Sequence, residues 1–282
     1  MGLNFSEIKK KFEKVKLIVS DVDGTLIDNN GLIPEENLKQ ISLLSKRGIK
    51  FTVATQRVYS SVIQLAKKLE IDIPIVTLNG TYIRNESGSF LKKFPISQKT
   101  VRKAIDLADR YFIKIALCYD DKIVYTENNS VIKDFMQRIG TTYELVNSYD
   151  NYTDSVVEII MSGNDKKAIR YVLDKLSFPL SFFITGKYYR SHNMHRVYTL
   201  EIKRSGISKK SGLKILASHL GVSKKEIAVF GDWYNDRDLF EYGGLNIALQ
   251  NAVPELKRAA DYITEKSNHE AGVGHFLRNV FQ

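Results

Sequence analysis

Two acidic motifs, far apart in the sequence, carry residue types that could bind a metal ion and act on phosphate. The first covers residues 21–25 (DVDGT), and the second covers residues 231–236 (GDWYND). Clustered carboxylates repel one another unless a cation lies among them. The chain has one cysteine, Cys118, and no His-rich spacing, so these oxygen ligands favour a hard divalent ion, most simply Mg²⁺. Since Mg²⁺ commonly works on phosphates, the two motifs together predict phosphoryl chemistry.

Lys209 adds a group that could bind an anion. Ser208 predicts the N-cap of a helix that ends at Gly221, so Lys209 lies in the first helical turn, where a cation opposes the helix dipole. Such a conflict with local preference is expected where function outranks stability. Lys209 and the helix N-terminus together would form an anion site, although the spacing does not choose between Lys209 and the adjacent Lys210.

The elements that must position these motifs follow from hydrophobic patterning. Apolar runs rich in β-branched residues predict strands over residues 15–19, 49–54 and 75–78, and helical spacing predicts helices over 35–47 and 58–69. The same pattern returns near the C-terminus, with a helix from Ser208 to Gly221, a strand over 227–230, a helix over 254–260 and an apolar run over 262–264. This alternation indicates a parallel sheet covered on both faces.

Polar residues follow each predicted core strand. They are residues 21–25, 55–57 (TQR), 79–80 (NG) and 231–236. In an open α/β sheet, ligands bind beyond the carboxyl ends of the strands, so these residues are expected at one edge. Asp23-Gly24 alone would equally suit a hairpin turn, and only its combination with the second acidic motif and Lys209 favours a site.

The middle of the chain has a different pattern. Strand-like runs at 113–118 and 122–126 flank Asp120-Asp121 and predict a hairpin. Further strands are predicted over 156–161, 181–185 and 197–202, and helices over 97–111, 131–139 and 166–176. Residues 85–203 are therefore predicted to form an α+β domain inserted into an α/β core made of residues 1–84 and 204–282.

Together these motifs resemble the haloacid dehalogenase superfamily of aspartate-nucleophile phosphohydrolases, and within it the Cof-type branch. The resemblance covers nearly the whole chain and rests on residues 21–25, the Thr55 segment, 78–80 (LNG), 207–209 (ISK), 230–236, 246–248 (NIA), 251–252 (NA) and 271–273 (AGV). It implies a Rossmann-like parallel-sheet core, an inserted cap of the C2 type that selects the substrate, and a phosphomonoester hydrolase activity.

The resemblance implies a role for the residues of the acidic motifs. Asp21 would be the nucleophile that forms an aspartyl-phosphate, and Asp23 would protonate the leaving group and then activate water. Mg²⁺ would be held by the Asp21 carboxylate, the Asp23 backbone carbonyl and Asp232, with Asn235 or Asp236 supporting the metal shell.

The resemblance also implies a set of phosphate ligands. Thr55 and Lys209 would bind the phosphoryl oxygens, and Gln56 and Asn235 are further candidates. Gln56 stands where the family usually has glycine, so its side chain would either crowd the phosphate loop or donate a hydrogen bond to the substrate. Trp233 likewise stands where smaller residues are common. The remaining candidates for substrate contact are Arg57, Asn79 and Arg190.

Composition limits the classes of protein. The chain has 282 residues, and its 43% hydrophobic residues are typical of a globular protein. Its net charge of +10 suggests an anionic partner, such as nucleic acid, a membrane surface or phosphorylated small molecules, without choosing among them. No apolar run approaches the roughly 18 residues of a membrane span, and no signal peptide or nucleic-acid module is recognisable, so a cytoplasmic protein is expected. His192 and His195 lack an acidic or Cys partner and are interpreted as solvent-facing loop residues.

The leading hypothesis is a Mg²⁺-dependent phosphatase of a small phosphorylated metabolite, with a sugar phosphate as the first choice of substrate. A phosphorylated cofactor, such as pyridoxal phosphate or flavin mononucleotide, is the next choice. The alternatives are a phosphosugar mutase and, from a different class, a non-catalytic protein that binds phosphate or nucleic acid.

Overall fold

The computed structural model describes residues 3–126, 142–178, 183–190 and 197–282, in which helices and strands alternate. The α-helices are α1 Phe5–Phe12, α2 Glu35–Ser42, α3 Tyr59–Lys68, α4 Gln98–Arg110, α5 Lys166–Ser177, α6 Lys209–Leu220, α7 Arg237–Phe240, α8 Pro254–Ala259 and α9 Gly272–Phe281. The strands are β1 Leu17–Ser20, β2 Lys50–Val53, β3 Ile75–Thr77, β4 Tyr82–Arg84, β5 Phe90–Lys93, β6 Lys114–Cys118, β7 Lys122–Tyr125, β8 Thr142–Leu145, β9 Glu158–Gly163, β10 Ile184–Arg190, β11 Tyr198–Arg204, β12 Ile227–Gly231, β13 Leu245–Ala248 and β14 Tyr262–Ile263.

A parallel sheet forms the centre of the first part of the fold. Its strand order is β14-β13-β12-β1-β2, and every neighbouring pair is parallel. A single parallel bridge between Ala54 and Val76 places β3 beside β2, and β3 continues into the antiparallel strands β4 and β5. The predicted parallel α/β core is confirmed.

The register brings the strand ends that precede the acidic motifs to one edge. Ser20, the last residue of β1, pairs with Phe230 of β12 and with Val53 of β2. All four residues of β1 are buried, as expected for a central parallel strand whose two faces are both covered. The residues that follow β1 and β12 must therefore lie close together.

Helices α2 and α9 pack against each other and hold the loop that follows β1. Asn37 of α2 is buried, donates a hydrogen bond to the Leu26 carbonyl oxygen (2.9 Å) and accepts one from the Gly274 N–H (2.7 Å). A Cβ on Gly274 would lie 2.6 Å from the Glu36 carbonyl oxygen, so only glycine allows this approach. The loop that carries the first acidic motif is thus fixed from outside the sheet.

A second sheet has the strand order β10-β11-β9-β6-β7-β8. Its pairs are antiparallel except β7 with β8, and the hairpin predicted around Asp120-Asp121 is formed by β6 and β7. The apolar residues of helices α4 and α5 pack with one face of this sheet into a single core, which includes Val101, Leu117, Ile159, Val172 and Leu200.

The chain divides into two compact units. The first unit contains residues 1–56, 62–92 and 208–282, and the second contains residues 57–61 and 93–207. The role of residues 85–203 as a cap stays a prediction. Some of the predictions fall outside the described residues. They are the helix over 131–139, the first two residues of the strand over 181–185, and the interpretation of His192 and His195 as loop residues.

No helix in the described part of the chain combines the length and the apolar character that crossing a membrane requires.

Candidate functional site

The two acidic motifs begin at the ends of neighbouring strands. The Asp21 N–H donates to the Phe230 carbonyl oxygen (3.0 Å), which extends the pairing of β1 with β12 by one residue. Asp232 follows directly after β12, and both Asp21 and Asp232 are buried. Asp21 and Asp232 are therefore positioned by the paired ends of two neighbouring strands of the parallel sheet.

Gly24 lets the loop after β1 approach Asp232. Its φ is +75°, in the left-handed region, and a Cβ at this position would lie 2.3 Å from Asp232 Oδ2. The neighbouring Thr25 donates a hydrogen bond to Asp232 Oδ1 (2.6 Å). The Asp-Gly pair of the first motif thus packs against the second motif, and the interpretation as an isolated hairpin turn is wrong.

Lys209 is the cation of the site. It is the first residue of α6, its side chain is 1% exposed, and its Nζ lies 2.6 Å from Asp21 Oδ1 and 2.8 Å from Asp236 Oδ1. Lys210 instead binds Glu241 Oε2 (2.5 Å) and is partly exposed. The structure therefore places Lys209, and not Lys210, in the acidic cluster, and anion binding by Lys209 stays a prediction.

Gly80 sets the position of the helix that carries Lys209. Its φ is +96°, and a Cβ here would lie 2.1 Å from the Ser208 carbonyl oxygen, so the N-terminus of α6 packs directly on the Asn79-Gly80 backbone. The Asn79 N–H donates to the Thr55 carbonyl oxygen (3.0 Å), and the Thr55 N–H donates to the Val76 carbonyl oxygen (2.9 Å). The Thr55 segment and the Asn79-Gly80 segment are thus hydrogen-bonded neighbours.

Asp236 is fully buried and both of its carboxylate oxygens are used. Oδ1 accepts from Lys209 Nζ, and Oδ2 accepts from the backbone N–H groups of Asp232 and Trp233, both at 3.0 Å. Asp236 therefore fixes the lysine and the loop of the second motif. Its predicted place in a metal shell stays a prediction, and these bonds make a supporting role the simpler one.

The cluster carries more negative than positive charge. Carboxylate oxygens of Asp21, Asp232 and Asp236 all lie within 4.8 Å of one another, around the single ammonium group of Lys209. Burial, with a further contribution from Asp236, raises the pKa of Asp21 to about 8 despite the nearby lysine. Burial likewise raises the pKa of Asp232 to about 6. The site thus favours a second positive charge.

Lys209 remains charged in this environment. Burial alone lowers the pKa of its ammonium group, but the carboxylates of Asp21 and Asp236 together outweigh burial and raise the pKa above its ordinary value. Lys209 is consequently a full cation within the cluster, and its predicted role in binding a phosphoryl oxygen stays a prediction.

The donor set fits a hard divalent cation. All of the clustered ligand atoms are carboxylate oxygens, which Mg²⁺ prefers, and a further oxygen, Asn235 Oδ1, is buried without a hydrogen-bond partner among the described residues. Asp23, whose backbone carbonyl is also a predicted ligand, lies in the same loop as Asp21, and its side chain is exposed. The residues present therefore suit the metal ion that the sequence predicts.

The other predicted site residues differ in how the structure places them. Thr55 is buried and Gln56 is half-buried at the end of β2, beside the strand that carries Asp21. Asn79 has a φ of +52° and its side-chain oxygen is buried without a partner in the described part of the chain. Arg57 and Arg190 belong to the second unit, and their substrate contacts stay predictions.

Asn251 is a positioning residue whose role the sequence did not reveal. Its Nδ2 donates to the Gly24 carbonyl oxygen (2.8 Å), and its Oδ1 accepts from the Asn268 N–H (2.9 Å). The next residues add a bond from the Val253 N–H to the Asp232 carbonyl oxygen (2.9 Å). Residues 251–253 thus bond to both acidic loops, and Asn251 also joins the first of them to the C-terminal segment.

Comparison with known proteins identifies the family. The sequence model of the haloacid dehalogenase-like hydrolases matches residues 18–277. The stress response protein YhaX of Bacillus subtilis is 27% identical, with 95% of this chain and 93% of YhaX covered. The 5-amino-6-(5-phospho-D-ribitylamino)uracil phosphatase YitU of the same organism is 26% identical, with 95% and 98% covered.

The fold is likewise shared with solved structures. A haloacid dehalogenase-like hydrolase from Bacteroides thetaiotaomicron superposes with a TM-score of 0.79 at 26% identity, and the match covers 95% of this chain and all of that chain (100%). This likeness extends over the parallel sheet and the separate second sheet, so it confirms the α/β fold class. The chain belongs to the haloacid dehalogenase-like hydrolase family, as a phosphatase of its Cof-type branch.

Proposed function

We propose that the protein is a Mg²⁺-dependent phosphomonoester hydrolase that works through a phosphorylated Asp21. The observation that carries the proposal is the buried cluster in which Lys209 Nζ bonds Asp21 while Asp232 lies beside it. A carboxylate that attacks an anionic phosphate needs nearby positive charge to offset the repulsion, and this cluster supplies one such charge and a place for another.

The Asp21 carboxylate, the Asp23 backbone carbonyl and Asp232 would hold the Mg²⁺, with Asn235 or Asp236 as support. When bound, the ion supplies positive charge that neutralises the carboxylates and the phosphate. Lys209 binds a phosphoryl oxygen at the same time, and its hydrogen bond to Asp21 orients the nucleophile.

The reaction proceeds in two displacements at phosphorus. In the first, an Asp21 oxygen forms a bond to phosphorus, the bond to the leaving oxygen breaks, and Asp23 gives that oxygen a proton. In the second, a water oxygen attacks phosphorus, its proton passes to Asp23, and the bond to Asp21 breaks to release inorganic phosphate. Thr55, Gln56 and Asn235 are the additional groups proposed to bind phosphoryl oxygens.

The proposed substrate is a small phosphorylated metabolite, with a sugar or sugar-alcohol phosphate as the reacting part. YitU is described as acting on a ribityl phosphate attached to a uracil, and it aligns over nearly the whole of this chain. The sugar-alcohol phosphate in that name supports the first choice of substrate expected from the sequence, a sugar phosphate, and a phosphorylated cofactor remains the next choice. Residues 85–203 are proposed as the cap that selects the leaving group, with Arg57, Asn79 and Arg190 as candidate contacts.

The decisive experiment replaces the nucleophile. Asp21→Asn is expected to abolish phosphate release from a generic aryl phosphate in the presence of Mg²⁺, because an amide cannot form the phosphorylated intermediate. The matched control is Asp72→Asn, which makes the same change at an exposed aspartate before β3 and should keep wild-type turnover.

Wild-type activity in Asp21→Asn would contradict the mechanism. Release of inorganic phosphate from a hexose phosphate separates hydrolysis from the mutase alternative, which would retain the phosphate on a sugar. The expected cytoplasmic location and the expected lack of a nucleic-acid partner stay predictions.

A further inference from the structure

An exposed aromatic pair lies beside the acidic cluster, and the proposed hydrolysis does not use its side chains. Trp233 is 55% exposed and Tyr234 is 56% exposed, directly after Asp232 in the chain. Their ring centroids are 5.3 Å apart with an interplanar angle of 77°, an edge-to-face arrangement. The exposed surfaces of these two neighbouring rings are free to pack against a flat or apolar part of a ligand.

The backbone holds this pair at a fixed place beside the site. The Trp233 N–H donates to Asp236 Oδ2 (3.0 Å), the same carboxylate that binds Lys209, and residues Tyr234–Asp236 form a short 3₁₀ turn. Trp233 thus follows Asp232 directly in the chain, and its backbone is bonded to the carboxylate that also binds Lys209.

The chemistry of the pair selects the kind of group that it would contact. Apart from its π faces and edges, it offers one indole N–H and one phenol O–H, which is too few to satisfy the several hydroxyls of a sugar ring. A flat unsaturated ring needs few polar partners and gains from stacking on an aromatic face. A leaving group that carries such a ring therefore suits the pair better than a plain sugar.

We propose that Trp233 and Tyr234 form a stacking platform for a flat unsaturated ring in the leaving group of the substrate. The substrate class is then a phosphate ester of a sugar or sugar alcohol that bears a nitrogen heterocycle or a similar ring. This inference rests on the proposed function, because it takes the phosphate to be bound at Asp21 and Lys209.

Two pairs of phosphate esters that differ by the ring test the proposal. Flavin mononucleotide is compared with ribitol 5-phosphate, and uridine 5′-monophosphate with ribose 5-phosphate. Binding is measured by calorimetry to the Asp21→Asn variant with Mg²⁺, so that no turnover occurs. At least one ring-bearing ester is expected to bind about tenfold more tightly than its ring-free partner, within the range that aromatic stacking contributes.

Variants of Trp233 assign the preference to the platform. In the Asp21→Asn background, Trp233→Ala should remove the tenfold preference and leave the affinity for ring-free esters unchanged, and Trp233→Phe should retain most of the preference. Trp233 is the only tryptophan in the chain, so reduced quenching of its emission by acrylamide on ring binding is a second, direct readout. Tyr234 forms the other half of the pair, so Tyr234→Ala should also weaken the binding of the ring-bearing esters.

The platform is overturned if neither ring-bearing ester binds more tightly than its partner, or if Trp233→Ala keeps the preference or weakens both members of a pair equally. These failures are separate from failure of the proposed function. Loss of turnover in Asp21→Asn without any ring preference overturns the platform alone, whereas wild-type turnover in that variant overturns the proposed function. If the Asp21→Asn protein binds none of the four esters, the platform is overturned, whereas the proposed function is decided by turnover alone.

Discussion

At the residue scale, the site depends on close approaches that only glycine allows. A Cβ on Gly24 would collide with the Asp232 carboxylate, and a Cβ on Gly80 would collide with the Ser208 carbonyl oxygen at the start of α6. A Cβ on Gly231 would lie 2.6 Å from the Cβ of Asp236. These glycines remove the bulk that would separate the carboxylates from one another and from Lys209. The cluster is therefore built by the backbone as much as by its charged side chains.

Gly24→Ala tests this dependence on the backbone. The added Cβ would collide with Asp232 Oδ2 at 2.3 Å, so Asp232 or the loop of Asp23 must move. A displacement of about 1 Å in a catalytic constellation can cost about a hundredfold in rate, and we expect a loss of that order in Mg²⁺-dependent phosphatase activity. The measurement is kcat/KM with an aryl phosphate.

Gly31→Ala is the matched control for Gly24→Ala. Gly31 also has a left-handed φ, +78°, but a Cβ there would meet nothing within 4 Å. Both variants should lose about 1 kcal/mol of stability through the strained backbone, and only Gly24→Ala should lose activity. Equal activity in the two variants would show that the contact with Asp232 is unimportant.

The residue types predicted which residues form the cluster but not which contacts each of them makes. The spacing left Lys209 and Lys210 equivalent, because both lie in the first turn of α6, and only the direction of each side chain separates them. The double use of the Asp236 carboxylate also depends on the shape of the loop over residues 232–236. The lysine contacts are tertiary and the loop contacts depend on the local backbone conformation, so residue types alone predict neither.

At the element scale, a surface ion pair joins the starts of the two strands that precede the acidic motifs. Glu226, just before β12, accepts from Lys16 Nζ (2.5 Å) and from the Ser223 hydroxyl (2.6 Å), and its carbonyl oxygen accepts from the Lys16 N–H (2.8 Å). The hydrogen bond from Lys16, followed by those from Ser223, lowers the pKa of Glu226 to about 2.

The low pKa of Glu226 predicts an acid-dependent contribution to stability. Because the pKa is lower in the folded state than its ordinary value of 4.5, the stabilisation is present above pH 4.5 and is lost as the pH falls towards 2. The difference in melting temperature between wild type and Glu226→Gln should thus be constant near neutral pH and shrink below pH 4.5. In a Lys16→Met background, the change of this melting-temperature difference with pH should be smaller. A melting-temperature difference that stays constant down to pH 2.5 would contradict the low pKa of Glu226.

Elements were predictable where one local pattern dominates. The buried β-branched runs of β1, β2, β3 and β12 and the capped helix α6 all lie where periodicity placed them. Helix α9 was missed because it contains Gly272 and Gly274, which disfavour a helix in isolation, and it gains its stability from packing on α2. Strand β13 and the lysine-rich α1 were missed for a related reason, since their pairing or packing partners lie elsewhere in the chain. Strands β4 and β5 pair with sequence neighbours, and they were missed because three or four residues are too short for a clear pattern.

At the whole-molecule scale, the charge of the protein and the charge of its site have opposite signs. The chain carries a net charge of +10, yet the described cluster at the sheet edge contains three carboxylates and one lysine. The overall positive charge suits an anionic substrate, whereas the local negative charge suits a divalent cation. Binding of Mg²⁺ should therefore be coupled to the stability of the first unit, which holds all of these residues.

Asp232→Asn tests this coupling, because it should melt at a higher temperature than wild type without metal and at a lower temperature than wild type with Mg²⁺. In wild type, Mg²⁺ at about a hundredfold excess over its Kd should add about 2.7 kcal/mol to the free energy of unfolding, seen as a higher melting temperature. Without metal, the variant should melt at a higher temperature than wild type, because it removes one of three mutually repelling buried carboxylates. With Mg²⁺ it should show little further shift, while Asp72→Asn should behave as wild type in both conditions. If Asp232→Asn keeps the wild-type Mg²⁺ shift, Asp232 does not hold the ion and the coupling must arise elsewhere in the first unit.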